Sequence, residues 1–229
     1  MKISTYYLQP RLLVAVDCVI LGFDGTALKV LVIKRGFEPE KGKWSLPGGF
    51  VSADESTEEA AARVLGQLTG LQQVYMEQLH CFSAINRDVA GRVISIAYFA
   101  LINIQNYQHH LSHKHEAAWV PLRSMPALIF DHNKMVDKAW TALRERVANH
   151  PIGFELLPTR FTLPQLQCLY EAIYNSKLDK RNFSRKVKAL GVLKRLTEKE
   201  KTSSRKGAFF YVFDRKKYQR LARQGMRLI

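Results

Sequence analysis

Two groups of side chains have types and spacings that suit chemistry. In the first, Asp17 is the single charge in the apolar run Leu12–Phe23. A buried carboxylate without a partner is costly, so Asp17 calls for a counter-charge or a polar ligand. Lys34 ends the facing run on the side of Val30 and Val32 and offers an ammonium. Trp44 offers an aromatic platform, and Asp88 and Arg92 lie in the loop that joins two later strand-like runs. Together they have the makings of a sugar-binding site; they also read as a structural Asp17–Lys34 pair with Trp44 in the core. The second group is cationic. Arg181, Arg185 and Lys188 recur at helical spacing on a face separate from Phe183, Val187 and Leu190. Arginine suits guanine edges and asparagine suits adenine, so Arg181, Asn182 and Arg185 are candidates for reading bases. Lys180, Lys188 and the trio Ser204, Arg205 and Lys206 suit backbone positioning, Ser184 is a further DNA-binding candidate, and an ordinary solvated basic face is the alternative. His109, His110, His113 and His115 crowd a polar loop without Cys or acidic residues at supporting spacing, so no metal site is expected.

The charge is distributed to match. Before Glu155 there are 16 Lys and Arg against 14 Asp and Glu; from Glu155 onward there are 19 against 6. The basic excess therefore sits in the last third of a 229-residue chain. That asymmetry predicts two domains with different partners, the second meeting a polyanion. The three cysteines, Cys18, Cys81 and Cys168, are widely spaced in apolar surroundings and show no disulfide or metal pattern. No apolar run approaches a membrane span, and Met1–Tyr7 lacks a secretory h-region. A soluble, cytoplasmic protein without cofactor is expected.

Several elements must position these residues. Leu12–Phe23 and Leu28–Arg35 read as strands around the Asp24-Gly25 turn, and the two-faced apolarity of the first predicts a sheet covered on both sides. Ser56 and Glu59 form a capping-box pair for a helix ended by Gly70. Val74–Ile85 and Val93–Ile102 form a second strand pair, Trp119–Leu122 a short extended piece, and His132–Asn149 a helix. The boundary is expected at Pro151-Ile152-Gly153. Beyond it, Thr162 and Gln165 cap one helix and Asp179 caps the next. Val192–Leu196 and Ala208–Phe213 bracket a small, basic tip at 202–207, as strands of a wing would.

The stretch Trp44-Ser45-Leu46-Pro47-Gly48-Gly49-Phe50-Val51, followed by Glu55 and Arg63, resembles the Nudix box. Gly49, Glu55, Arg63, Leu65, Gly70 and Leu71 match its pattern at the right spacing. The resemblance implies three carboxylates at positions 64, 67 and 68, which share one helical face and would gather divalent cations. Val64, Gln67 and Leu68 stand there instead, so no catalytic residues are assigned and hydrolysis is not expected. Glu58 and Glu59 fall a turn too early and suit the helix dipole.

Two amphipathic helices joined by a tight turn, the second cationic, fit a helix-turn-helix with its recognition helix in the major groove. Nearly the whole chain resembles the Nudix-related transcriptional regulators of the AraR and NrtR type. The most specific segments are Arg63-Val64-Leu65, Leu68-Thr69-Gly70-Leu71, Tyr75-Met76-Glu77-Gln78, Arg92–Tyr98, Pro126–His132, Phe161-Thr162-Leu163 and Asp179–Phe183. The resemblance implies an α+β chain: a catalytically degenerate Nudix-like α/β/α sandwich at 1–150 that senses a small molecule, then a winged helix-turn-helix at 151–229. It implies operator DNA as partner, repression, and a homodimer. The Tyr-Met-Glu-Gln and Ala-Leu-Ile segments are most similar to the arabinose-responsive type, which makes L-arabinose or a related pentose the expected effector. Asn86-Arg87-Asp88-Val89 departs from the Asp-Arg-Asp-Pro of that type. ADP-ribose sensing is the alternative effector reading, and a residual hydrolase the third.

Overall fold

The structure is a computed structural model that describes residues 8–106, 116–149, 156–201 and 207–223. At its centre, β1 (Leu13–Phe23) runs parallel to β6 (Val93–Asn103), in register from Leu13 opposite Val93 to Phe23 opposite Asn103. Antiparallel β2 (Leu28–Lys34) flanks β1, and β5 (Glu77–Phe82) flanks β6. β3 (Trp44–Ser45) and β7 (Ala118–Pro121) add to β2, and β4 (Gly48–Phe50) pairs with β1. The expected two-sided burial of β1 is present. Val16, Cys18 and Ile20 pack beneath α1 (Thr57–Thr69) with Ala60, Ala61, Val64 and Leu65. Val19, Leu21 and Phe23 face the other way, toward α2 (His132–Asn149) and its Met135, Ala139 and Leu143. This is the α/β/α sandwich expected.

The caps are where local chemistry puts them. Ser56 and Glu59 close a reciprocal capping box on α1, and Gly70 ends it at a left-handed φ of 81°. Thr162 and Gln165 do the same for α3 (Leu163–Tyr174), and the Asp179 side chain accepts from Asn182 N in α4 (Lys180–Ala189). β8 (Phe161–Thr162), β10 (Ala208–Phe213) and β9 (Leu193–Glu200) form a three-stranded sheet in that order. Helices α3 and α4 with this sheet make a winged helix-turn-helix.

Three features differ from expectation. β5 is shorter than Val74–Ile85, and β9 runs on to Glu200 although Thr197–Glu200 is too polar to read as strand. Arg195 and Lys199 lay their cations over the Phe209 ring at 4.7 and 4.6 Å, so their stems supply the packing that apolar alternation would. A further helix, α5 (Arg215–Arg223), follows β10; its polar sequence gave no apolar period.

The apolar cluster beneath α2 continues into α3 through Leu166, Leu169, Tyr170 and Ile173, and into α4 through Phe183 and Val187. Polar contacts tighten the same joint. Trp140 Nε1 and Arg144 Nε both donate to the Ile173 carbonyl, at 2.8 and 3.0 Å, and Arg144 Nη2 donates to that of Tyr174 at 3.2 Å. The last carbonyls of a helix have no partner within it, so α2 supplies partners for the end of α3. The expected boundary at Pro151-Ile152-Gly153 lies outside the described residues, as does the histidine cluster at 109–115. No helix among the described residues is long and apolar enough to cross a membrane.

Candidate functional site

Asp17 sits mid-strand in β1, opposite Gly48 of β4, and is buried. The glycine is required, because a Cβ at 48 would lie 2.0 Å from Asp17 Oδ1. Ser95 Oγ donates to Asp17 Oδ2 at 2.5 Å, Arg87 Nη2 stands 3.6 Å from the same oxygen, and His132 Nε2 is 3.5 Å from Oδ1. Arg87 is in turn gripped in bidentate fashion by Asp131, at 2.7 and 3.1 Å. The Leu46 N–H donates to His132 Nδ1 at 3.1 Å. That bond assigns the ring proton to Nε2, facing Asp17. Burial pushes the imidazole below its ordinary value, against the pull of Asp17, so His132 is neutral at pH 7.

This buried group floors a cleft of about 40 Å³ whose walls include Arg35, Phe37, Phe50, Asp88 and Phe130. Arg35 lies 4.0 Å over the Phe37 ring and 5.3 Å from the Phe130 ring, with Nε donating to the Phe37 carbonyl. Its two terminal nitrogens make no hydrogen bond among the described residues. A cation between rings, above an acidic floor, suits a ligand that combines anionic groups with a ribose hydroxyl or a flat ring.

The structure separates the five candidate ligand residues. Asp17 and Asp88 line the cleft; Lys34, Trp44 and Arg92 do not. Lys34 is not the partner of Asp17. It lies opposite Trp44 in the β2–β3 pair, with Nζ 4.0 Å over the indole. Trp44 packs against the core, and Arg92 donates to the Ser83 and Ala84 carbonyls, tying its own loop. Sequence reasoning missed Arg87, Ser95, Asp131, His132, Arg35 and Phe130. The available signal was charge balance: a strand that buries one acid needs cations from loops, and Arg87 lies next to Asp88.

Beside the cleft, Glu55 and Arg63 form a two-pronged pair at 2.5 and 2.8 Å, and Arg63 also donates to the Phe50 carbonyl. Arg63 and the Ser52 N–H hold the Glu55 carboxyl down to about 2. Val64 is buried, 2.9 Å from where a Gly49 Cβ would stand, and Leu68 packs into the same apolar cluster. Gln67 is exposed and accepts from Arg63 at 3.4 Å. Among the described residues no three His, Cys, Asp or Glu side chains converge as a metal site would require.

The second surface is basic. α4 turns Phe183 and Val187 inward, Phe183 meeting Tyr170 edge-on at 5.4 Å. Lys180, Arg181, Asn182, Arg185 and Lys188 are exposed and Ser184 is half-buried. Arg185 donates to Asn182 Oδ1 at 2.9 Å, so those two side chains are oriented together. Glu171 fixes the preceding turn by accepting from Gln167, Lys177 and the Leu178 N–H, and these bonds hold its carboxyl down to about 2. Ser204, Arg205 and Lys206 lie outside the described residues, while Lys194, Arg195 and Lys199 of β9 add cations that sequence reading left out.

Residues 11–139 match the NUDIX domain model, and residues 153–213 match the NrtR DNA-binding winged helix domain. The ADPR responsive transcriptional repressor NtrR of Acinetobacter baylyi is 34% identical over 208 residues, 89% of this chain and 83% of that protein. The chain belongs to the Nudix-related, NrtR-type family of transcriptional regulators. NrtR of Shewanella oneidensis, solved in complex with a 27mer DNA, superposes with a TM-score of 0.76 at 30% identity, covering 87% of this chain and 93% of that one. Its NUDIX domain has also been solved with ADP ribose, at a TM-score of 0.53 and 30% identity over 62% of this chain and 99% of that one. ADP-ribose pyrophosphatase of Methanocaldococcus jannaschii is 39% identical over 130 residues, 57% of this chain and 73% of that protein. The regulators among these relatives are of the NrtR type and give the arabinose-responsive reading no support.

The buried group makes two expectations. Arg87→Met strands Asp17 and Asp131 without their cation and should cost about 3–5 kcal/mol in urea unfolding. His132 gains a proton more readily in the unfolded chain, where it titrates near pH 6.5. Stability should therefore fall as pH drops below that point. His132→Asn, which retains an acceptor for Leu46, should flatten the stability profile between pH 7 and 5; an unchanged profile would place the titration elsewhere.

Proposed function

We propose that this chain is a transcriptional repressor, working as a homodimer, whose affinity for operator DNA changes when ADP-ribose occupies the Arg35–Asp17–His132 cleft. The observation that carries this reading is the span of α2. Its first residue, His132, closes the cleft floor, and its Trp140 and Arg144 hold the end of α3 just ahead of the α4 recognition helix. One rigid element thus touches both the sensing and the reading surface, which is what a ligand needs to bias two arrangements of the same chain. The cleft chemistry favours ADP-ribose over a free pentose, since a bare sugar has no anion for Arg35. The Acinetobacter relative's name and the ADP ribose complex of the Shewanella domain support the same ligand. The cleft admits only part of such a molecule, and the remainder extends over its open rim. We take the boundary between the two domains to be 150/151, between the stretches 11–139 and 153–213 that match the two domain models.

Hydrolysis is the second reading, because a pyrophosphatase is among the relatives. We hold that ADP-ribose is bound here without being cleaved. Two apolar side chains and one amide at positions 64, 67 and 68 offer no anionic oxygens for Mg²⁺.

The test is an anisotropy titration of duplex from upstream of the neighbouring operon, with ADP-ribose, L-arabinose or neither. ADP-ribose should shift operator affinity about tenfold or more, equivalent to about 1.4 kcal/mol of coupling, and raise the thermal midpoint. It should yield no AMP with Mg²⁺ or Mn²⁺. A response to arabinose alone, or AMP release, overturns the assignment. Arg181→Ala and Arg185→Ala should each reduce operator discrimination by about 1–3 kcal/mol.

The double change Trp140→Phe with Arg144→Gln keeps ring packing but removes the N–H donors to Ile173 and Tyr174. It should leave ADP-ribose binding near wild type and shrink the effector-induced shift in operator affinity toward unity. A full shift in that variant would show that the signal travels by another route.

A further inference from the structure

The match to the winged helix domain ends at residue 213, and α5 begins at Arg215. Its nine residues include five cations, Arg215, Lys216, Lys217, Arg220 and Arg223, and no acid. Three of them fill the first turn, where a helix dipole favours negative charge and disfavours positive. Taken alone, that arrangement works against the helix.

The helix is nonetheless built into the fold. Asp214 caps it by accepting from Lys217 N at 2.9 Å, and its own N–H donates to the Val192 carbonyl at 2.9 Å. The Tyr218 ring rests 5.5 Å from that of Phe213. Lys217 Nζ reaches to 3.3 Å from where a Cβ would stand on Gly191, the left-handed residue just after α4. α5 is therefore anchored at the exit of the recognition helix, beside the Lys186 and Lys188 turn. Arg215, Lys216 and Arg220 are exposed and make no ion pair among the described residues. A cluster of like charges at one corner, set against the single carboxylate of the Asp214 cap, is relieved by a polyanion.

Geometry says which part of the polyanion. A helix of ten residues such as α4 is about 15 Å long, and the major groove is about 12 Å wide. Groups abutting the end of such a helix meet the phosphate wall of the groove and not its floor. We infer that α5 is a second DNA-contacting element, in which Arg215, Lys216 and Arg220 hold backbone phosphates flanking the bases read by α4. The inference rests on the operator-binding reading above. It assigns α5 to affinity and α4 to sequence, since phosphate contacts position a protein without reading bases.

The experiment compares the full-length protein with the triple variant Arg215→Gln/Lys216→Gln/Arg220→Gln. Binding to an operator duplex and to a scrambled duplex of equal length is followed by anisotropy from 50 to 200 mM salt. The variant should weaken on both duplexes by the same factor, and the slope of log K against log salt should become shallower by about 2–3 on each. Circular dichroism and a retained ADP-ribose thermal shift would show that the fold is intact. Should the triple variant fold poorly, Arg220→Gln alone should lower the slope by about 1. An unchanged slope overturns the inference, and so does a loss confined to the operator duplex. Absence of any operator preference in the wild type would instead refute the regulator reading, while the slope on scrambled DNA would still decide the role of α5.

Discussion

A carboxylate buried in the middle of a strand that is covered on both faces constrains the rest of this molecule. Leaving Asp17 uncompensated would cost several kcal/mol, and no neighbour in β1 can compensate it. The compensation comes from three distant places: Ser95 on the paired strand, Arg87 in the loop after β5, and His132 at the start of α2. Gly48 completes the set by leaving room for the carboxylate. Each contact fixes the segment that delivers it. The Gly-Gly turn, the 83–92 loop and the first turn of α2 are therefore located by one charge.

The placement of α2 carries that constraint outward. Its inner face is part of an apolar cluster that continues without interruption into α3 and α4, and its Trp140 and Arg144 take the carbonyls that α3 leaves unpaired. Packed interiors transmit displacements because they have little free volume. A ligand that altered the Asp17–His132–Arg87 arrangement would move the base of a helix whose far part is bonded to the DNA-reading half. Asp131, adjacent to His132 and bidentate on Arg87, ties the loop and the helix start together.

What was legible in the sequence was local. Ser56 with Glu59, Thr162 with Gln165, Asp179 and Gly70 announce helix ends because their partners lie within three or four residues, and all four act as expected. The cationic face of α4 was legible for the same reason. The partners of Asp17 were not, since Ser95 lies 78 positions away and the register that brings it close is a property of the sheet. Lys34 was the nearest cation by pattern, yet its ammonium found an indole face in the adjoining strand. The end of β9 and all of α5 are illegible because a pattern that looks for apolar alternation sees only solvated charge, whereas Arg195 and Lys199 of β9 are packed on the Phe209 ring.

The Glu55–Arg63 pair clips backbone together beside three helix positions that carry no carboxylate. In a metal-dependent hydrolase the neighbouring carboxylates would hold cations; here Val64 and Leu68 are part of the hydrophobic core and Gln67 faces solvent. Arg63 still joins Glu55 to the Phe50 carbonyl, clipping the start of α1 to the turn that ends β4. That clip holds Gly48 against Asp17 and Phe50 at the cleft wall. The motif is retained where it positions backbone and altered where it would bind metal. Under the proposal that ADP-ribose is bound without being cleaved, such a division is expected, because an intact effector must persist to shift the equilibrium of the chain that binds it.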